Sequence, residues 1–165
     1  MFRNGRGERF KFDEVVVRII SFINQDTSAN YKFWVGTDSQ NYDKEKENII
    51  STGIVVYREG KGGIFFVSEE TIPKIDSINL KILTETDKSL KMMKQLEETD
   101  LILHLNVDNI SIHIDASEDG ESRVAINECI GYVKGMGYNY EIKPNSFAAS
   151  CVADRYTLKS HKTNP

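Results

Sequence analysis

The stretch Tyr31–Gln40, with the sequence Tyr-Lys-Phe-Trp-Val-Gly-Thr-Asp-Ser-Gln, constrains the fold more than any other part of the chain. Its β-branched and aromatic residues suit an extended strand. Alternation along that strand sends Tyr31, Phe33 and Val35 to one face and Lys32, Trp34, Gly36 and Asp38 to the other. The carboxylate of Asp38 comes where the apolar pattern stops. At the edge of a core a carboxylate is costly unless it is paired, hydrogen-bonded or bound to a cation. The rest of the chain must therefore supply Asp38 with a partner.

The flanking sequence builds outward from this strand. Met1–Phe12 reads as a loose N-terminal arm. Asp13 is a candidate cap for a helix over Glu14–Ile23, with Val15, Val16, Ile19, Ile20 and Ile23 on one side. Asn41–Asn48 is a charged loop. Ile49–Tyr57 and Ile64–Ile72 are further strands, joined through the three glycines of Arg58–Gly63, so an antiparallel meander is expected. Ser77 caps a helix predicted to run to about Glu98, with the apolar stripe Ile78, Ile82, Leu90, Met93 and Leu96. Leu101–Val107 fits either an extension of that helix or the start of a strand. Asn109–Ala116 is a strand in which Ile110, Ile112 and Ile114 oppose Ser111, His113 and Asp115. A helix over Ser122–Met136, a stop at Gly137, a short strand over Tyr138–Lys143, a final helix over Phe147–Leu158 and a disordered tail over 159–165 complete the reading.

The order, a leading helix followed by β-β-β-α-β-α-β-α, predicts an α/β fold in one domain of 165 residues. A meander followed by crossovers gives a mixed sheet with helices on its faces. Its composition, 39% hydrophobic and 28% charged, supports a sizeable core, and no apolar run approaches the span of a bilayer. Two distant cysteines, Cys129 and Cys151, argue against a disulfide framework and for a reducing, cytoplasmic setting. A net charge of −4 argues against a strongly basic nucleic-acid binder but not against an enzyme whose acids hold divalent ions.

Asp38 and Asp115 both end strands. If those strands are parallel neighbours, the two carboxylates emerge side by side and repel unless a cation lies between them. Glu85 on the crossover helix and Asp154 on the last helix are candidates to complete the ring. Asp87 is the rival to Glu85, although it points away from the apolar stripe, and Glu70 is a more distant one. For Asp154, the two apolar sides of its helix leave the direction open. His113 shares a face with Asp115 and fits a metal ligand, a proton shuttle or a satisfied core residue. Lys143, Arg155, Lys159 and Lys162 form a cluster that could hold phosphates or simply face solvent.

Gly-Thr-Asp-Ser-Gln at 36–40, the strand end His113-Ile-Asp115, and the run Lys143-Pro-Asn-Ser-Phe-Ala-Ala-Ser-Cys-Val-Ala-Asp154-Arg155 together resemble the YkuK-like family of predicted ribonuclease-H-related proteins. The resemblance extends from about Phe10 to Leu158. It implies a ribonuclease-H-like fold, whose nucleases hold two Mg²⁺ or Mn²⁺ ions on four carboxylates. By element, it assigns Asp38, Glu85, Asp115 and Asp154 as metal ligands and catalytic residues. Ser39, Gln40, Lys143 and Arg155 are the expected substrate contacts, and a nucleic acid is the expected partner.

The expected activity is two-metal phosphodiester hydrolysis, which needs no side-chain nucleophile; no Ser-His or Cys-His pair stands out. The alternative is a module on the same fold that binds nucleic acid or protein without turnover. A sugar-kinase or actin-like ATPase fragment is also conceivable, since Gly-Thr-Asp is similar to a phosphate-binding strand, but no second such motif follows.

Overall fold

The computed structural model describes residues 1–42, 46–105, 109–117 and 123–146. Seven strands form one mixed sheet. In chain order they are β1 (Phe2–Arg3), β2 (Arg9–Phe10), β3 (Tyr31–Tyr42), β4 (Glu47–Arg58), β5 (Gly62–Pro73), β6 (Ile110–His113) and β7 (Asn139–Glu141). Three helices join them: α1 (Phe12–Asn24), α2 (Ile78–Glu97) and α3 (Arg123–Gly135). Across the sheet the order is β2-β1-β5-β4-β3-β6-β7. β3, β4 and β5 are the expected antiparallel meander, and β6 and β7 add in parallel after α2 and α3.

The leading segment departs from expectation. Met1–Phe12 is not a loose arm but a small hairpin docked on the sheet edge. Phe2 pairs with Ser68 of β5 and with Phe10 across the hairpin, and both phenylalanines are buried. Two local features close the turn. Asn4 Oδ1 accepts the amides of Arg6 and Glu8, and Gly7 takes a φ of 80°, which favours glycine. Apolar residues at positions 2 and 10 were the available sequence signal, too sparse against the surrounding glycines and arginines to register as strands.

α1 begins one residue before the expected cap. Lys11 is extended at the N-cap and its amide donates to Glu14 Oε2 at 2.6 Å, while Asp13 and Glu14 place negative charge in the first turn. Within the charged loop expected over Asn41–Asn48, β3 and β4 stay paired through Asn41↔Asn48 to Tyr42↔Glu47. α2 starts as predicted, with Ser77 Oγ accepting the Leu80 amide. After α2, Asp100–His104 forms a 3-10 turn. The predicted helix over Phe147–Leu158 and the tail beyond it lie outside the described residues.

One layer of apolar side chains joins sheet to helices. Phe33 and Val35 of β3, Ile54 and Val56 of β4 and Phe66 of β5 meet Val15, Ile19 and Ile23 of α1, Ile82, Leu90, Met93 and Leu96 of α2, and Ile126, Cys129 and Val133 of α3. Tyr31 ties α1 to this face, its hydroxyl lying 3.0 Å from the Asp26 carbonyl and 3.1 Å from that of Ile23. α3 lies alongside α2. The opposite face of the sheet carries Trp34, stacked on Tyr57 at 5.9 Å between ring centroids and tilted against His113 at 5.3 Å.

Phe10 meets Phe66 edge-on at 5.7 Å and lies beneath the Arg18 guanidinium at 4.3 Å. Truncating such a buried aromatic costs about 3 kcal/mol or more. Phe10→Ala should therefore lower the urea midpoint by the equivalent of that loss. A midpoint within experimental error of the parent would mean that the hairpin is undocked in solution.

Candidate functional site

The parallel ladder between β3 and β6 runs from Phe33↔Ile110 to Gly36↔His113 and stops there. Two residues further along each chain stand Asp38 and Asp115. β3 continues along β4 as far as Tyr42. The chain after β6 instead turns toward β7, where the Ile114 amide donates to the Glu141 carbonyl at 2.9 Å and Lys143 donates to Ala116 at 3.0 Å. The two strands thus stop pairing just before their carboxylates: Asp115 follows the carboxyl end of β6, whereas Asp38, expected at a strand end, lies within β3 just past the end of the parallel ladder.

Glu85 joins them from α2. It is buried, at 4% exposure, although it lies within a helix whose other acids face solvent. Its Oε1 accepts two hydrogen bonds from Ser39, from the backbone amide at 2.8 Å and from Oγ at 2.7 Å. One helical turn further on, Ser89 Oγ donates to Thr37 Oγ1 at 2.8 Å, and Thr37 is 3.0 Å from Thr52 Oγ1. Polar residues four apart on α2 therefore meet polar residues two apart on β3. This polar seam within an apolar interface fixes the register of helix on strand.

Two lysines occupy the space between the acids. Lys81, one turn before Glu85, has its Nζ 3.6 Å from Glu85 Oε1 and 3.8 Å from Asp38 Oδ1. Lys143 Nζ lies 3.0 Å from Asp115 Oδ1. The groups share one electrostatic field. Burial pushes Glu85 up to about 7; Lys81 and the Ser39 hydrogen bond pull it down, while the charges of Asp38 and Asp115 push it further up. Burial lowers the proton affinity of Lys143, but its hydrogen bond to Asp115 and the charges of Asp115, Asp38 and Glu85 outweigh that and raise it.

Asp38, Glu85 and Asp115 therefore come together, and the rivals do not. Asp87 points outward and pairs with Lys91 at 2.6 Å, and Glu70 pairs with Lys88 at 2.6 Å. Asp154 and Arg155 lie outside the described residues. Ser39 is buried and both its donors go to Glu85, so it positions that carboxylate. Gln40 is half-buried on the Asp38 side of β3, and Lys143 is exposed beside Asp115. His113 is a buried core residue. Nδ1 donates to the Ser146 carbonyl at 3.0 Å, which fixes the tautomer, and burial holds its pKa at about 4. Lys81 was missed in the sequence; its spacing of four from Glu85 on a helix was the available signal.

The donors suit a hard divalent cation in kind, being carboxylate oxygens with excess negative charge and no thiolate. Their present positions answer to the lysines. Among the described residues, no three His, Cys, Asp or Glu side chains stand close enough together to hold one ion. A cleft lined by Asn4, Arg6, Arg18 and Phe65 lies elsewhere, at the end of the sheet away from the acids.

Sequence comparison agrees with this topology. The ribonuclease H-like family profile matches residues 14–158. The chain belongs to the ribonuclease H-like family. Among curated proteins it is similar to YkuK of Bacillus subtilis (strain 168), an uncharacterized protein, at 29% identity over 168 residues, covering 95% of this chain and 96% of that one. Among solved structures, the crystal structure of RNase H1 from the halophilic archaeon Halobacterium salinarum NRC-1 aligns with 78% of this chain and 98% of its own, with a TM-score of 0.42 and 12% identity. No helix among the described residues of this ribonuclease H-like chain is long and apolar enough to cross a membrane.

The buried acid has a measurable signature. A carboxyl whose pKa rises on folding binds more protons in the folded state, so its contribution to stability is complete below the ordinary value of 4.5 and is lost as pH climbs through about 7. His113 acts in the opposite sense: its depressed pKa makes stability rise from about pH 4 to the ordinary 6.5. The two slopes largely offset each other in the wild type. Glu85→Gln removes one of them. In chelator, the stability of this variant relative to wild type should grow by about 3 kcal/mol between pH 4.5 and 7.5. A difference that stays flat across that range would rule out a Glu85 carboxyl that holds its proton.

Proposed function

We propose that this ribonuclease H-like protein is a divalent-metal-dependent nuclease that hydrolyses phosphodiester bonds in a nucleic acid. One observation carries the reading: buried Glu85 stands in the shared field of Asp38 and Asp115, where two parallel strands separate. Three carboxylates concentrated here are a poor choice for stability alone, because the charges of Asp38 and Asp115 disfavour the ionisation of Glu85.

Asp38, Glu85 and Asp115 would hold Mg²⁺ or Mn²⁺, two ions in the full reading, with Asp154 from the C-terminal segment completing the set. Bound there, the ions would lower the pKa of a water and neutralise charge on the leaving oxygen of an in-line displacement. The chain's own groups do the positioning. Ser39 fixes the Glu85 carboxylate through two donors, so its direction does not depend on the metal. Lys143, exposed on the Asp115 side, would meet the negative charge of a phosphodiester, as would Arg155. Gln40, next along the Asp38 face, is placed to touch the substrate backbone.

The pairing of both flanking lysines with acids favours one second reading, a ribonuclease H-like module that binds nucleic acid or protein without turnover. One experiment separates the two. Purified protein is incubated with Mn²⁺ and single-stranded, duplex and hybrid substrates, alongside Asp38→Asn. The nuclease reading expects divalent-stimulated cleavage of at least one substrate and its loss in the variant, with no fall in the melting temperature of the metal-free protein. Equal cleavage by both proteins would reject Asp38 as a ligand. Binding of a substrate without cleavage would favour the module.

A further inference from the structure

The position of Lys81 points beyond the assignment of acids. Among the described residues, each other lysine ion pair serves a single carboxylate: Lys61–Asp26, Lys88–Glu70 and Lys91–Asp87 at 2.6 Å, Lys143–Asp115 at 3.0 Å, Lys74–Asp76 at 3.3 Å and Lys32–Glu59 at 3.4 Å. Lys81 does not close on either of its acids. Its Nζ lies between Asp38 and Glu85, 3.8 Å from one and 3.6 Å from the other. The ammonium stands about equally far from two carboxylates whose side chains are only 14% and 5% exposed. A cation serving both carboxylates must stand within reach of both, as this ammonium does.

We propose that Lys81 is a tethered counter-cation that competes with the divalent ion for Asp38 and Glu85, and so sets the metal concentration at which the site loads. The inference rests on the metal reading above and concerns a residue which that reading leaves without a role. Three features support it. The lysine stem is long and flexible and its head is a compact point charge, so it can leave the pair at little cost once another cation arrives. Glu85 is held by Ser39 independently of Lys81, so the carboxylate does not swing away when the lysine does. The lysine's side chain is 30% exposed, which leaves it a path to solvent. A purely structural ion pair would instead be expected on one carboxylate alone, as in the other lysine pairs of the described residues.

Metal binding is the test, read without any assay of turnover. Free Mn²⁺ is measured by its electron paramagnetic resonance signal as wild type, Lys81→Met, Lys81→Arg and Asp38→Asn are titrated, each checked for folding by its melting curve in chelator. Removing a competitor of unit charge from a half-buried pair should tighten the Mn²⁺ dissociation constant of Lys81→Met roughly tenfold. Lys81→Arg keeps the charge and should stay within a factor of about three of wild type. Asp38→Asn should lose the tight site, which locates the bound ion at this pair. Wild-type affinity, or weaker, in Lys81→Met while wild type itself binds Mn²⁺ would overturn the proposal and leave the metal reading intact. Absence of Mn²⁺ binding in wild type and Lys81→Met alike would remove both.

Discussion

The contact between Glu85 and Ser39 is the constraint on which the rest of the site depends. It brings a charged group from the middle of α2 into the sheet and satisfies it with one backbone and one side-chain donor. Burial of a carboxylate without such donors would be prohibitive. With them, α2 is locked in both translation and rotation on β3, because the Ser89–Thr37–Thr52 seam must fall into place one turn away. The apolar layer supplies most of the driving force for docking, but it tolerates sliding. A polar pair with directional bonds does not, so specificity of register comes from the seam.

From that register the position of the other acids follows. β3 and β6 are parallel and adjacent because the α2 crossover carries the chain from β5 past β4 and β3 to the far side of the meander. Pairing ends at Gly36↔His113, and the residue after next on each strand is an aspartate. A parallel ladder that continued two residues further would press these carboxylates together. Its termination, with β6 turning to β7, is what makes the gap tolerable and leaves room for Lys81 and Lys143 to enter it.

Much of this was legible in the sequence, and the exceptions have physical reasons. Period-two alternation exposed β3, β4 and β6, and a Ser cap with a 3.6-residue stripe exposed α2 to within a residue. The nearness of Asp38 and Asp115 was legible only on the condition that their strands are parallel neighbours, a condition that β3 and β6 meet. Glu85 was harder, because its stripe is mixed: polar Glu85, Thr86 and Ser89 are buried among Ile82, Leu90 and Met93, and an apolar count cannot recognise a polar seam. Ser39 follows Asp38, and alternation puts it on the opposite face, against α2, where it holds Glu85. The N-terminal hairpin was illegible for a different reason. Its strands are two residues long, below the length at which alternation carries any signal, and they are held by tertiary contacts of Phe2 and Phe10 rather than by local preference.

A net charge of −4 would seem to set this ribonuclease H-like chain against a polyanionic partner. Whole-molecule charge, however, acts over distances that salt screens within about 10 Å, whereas contact is decided locally. At the strand ends three carboxylates are accompanied by two lysines, leaving close to one net negative charge at neutral pH, less whatever proton Glu85 retains. On the proposed reading, one divalent ion reverses that sign, and two reverse it strongly. The bare site would then repel a phosphate backbone and the loaded site attract it, so that metal occupancy and nucleic-acid affinity must reinforce each other by linkage. On the same reading Lys81 and Lys143 would moderate both states: they limit the repulsion among acids in the metal-free fold, and Lys81, once displaced, would add its charge to the surface the substrate meets.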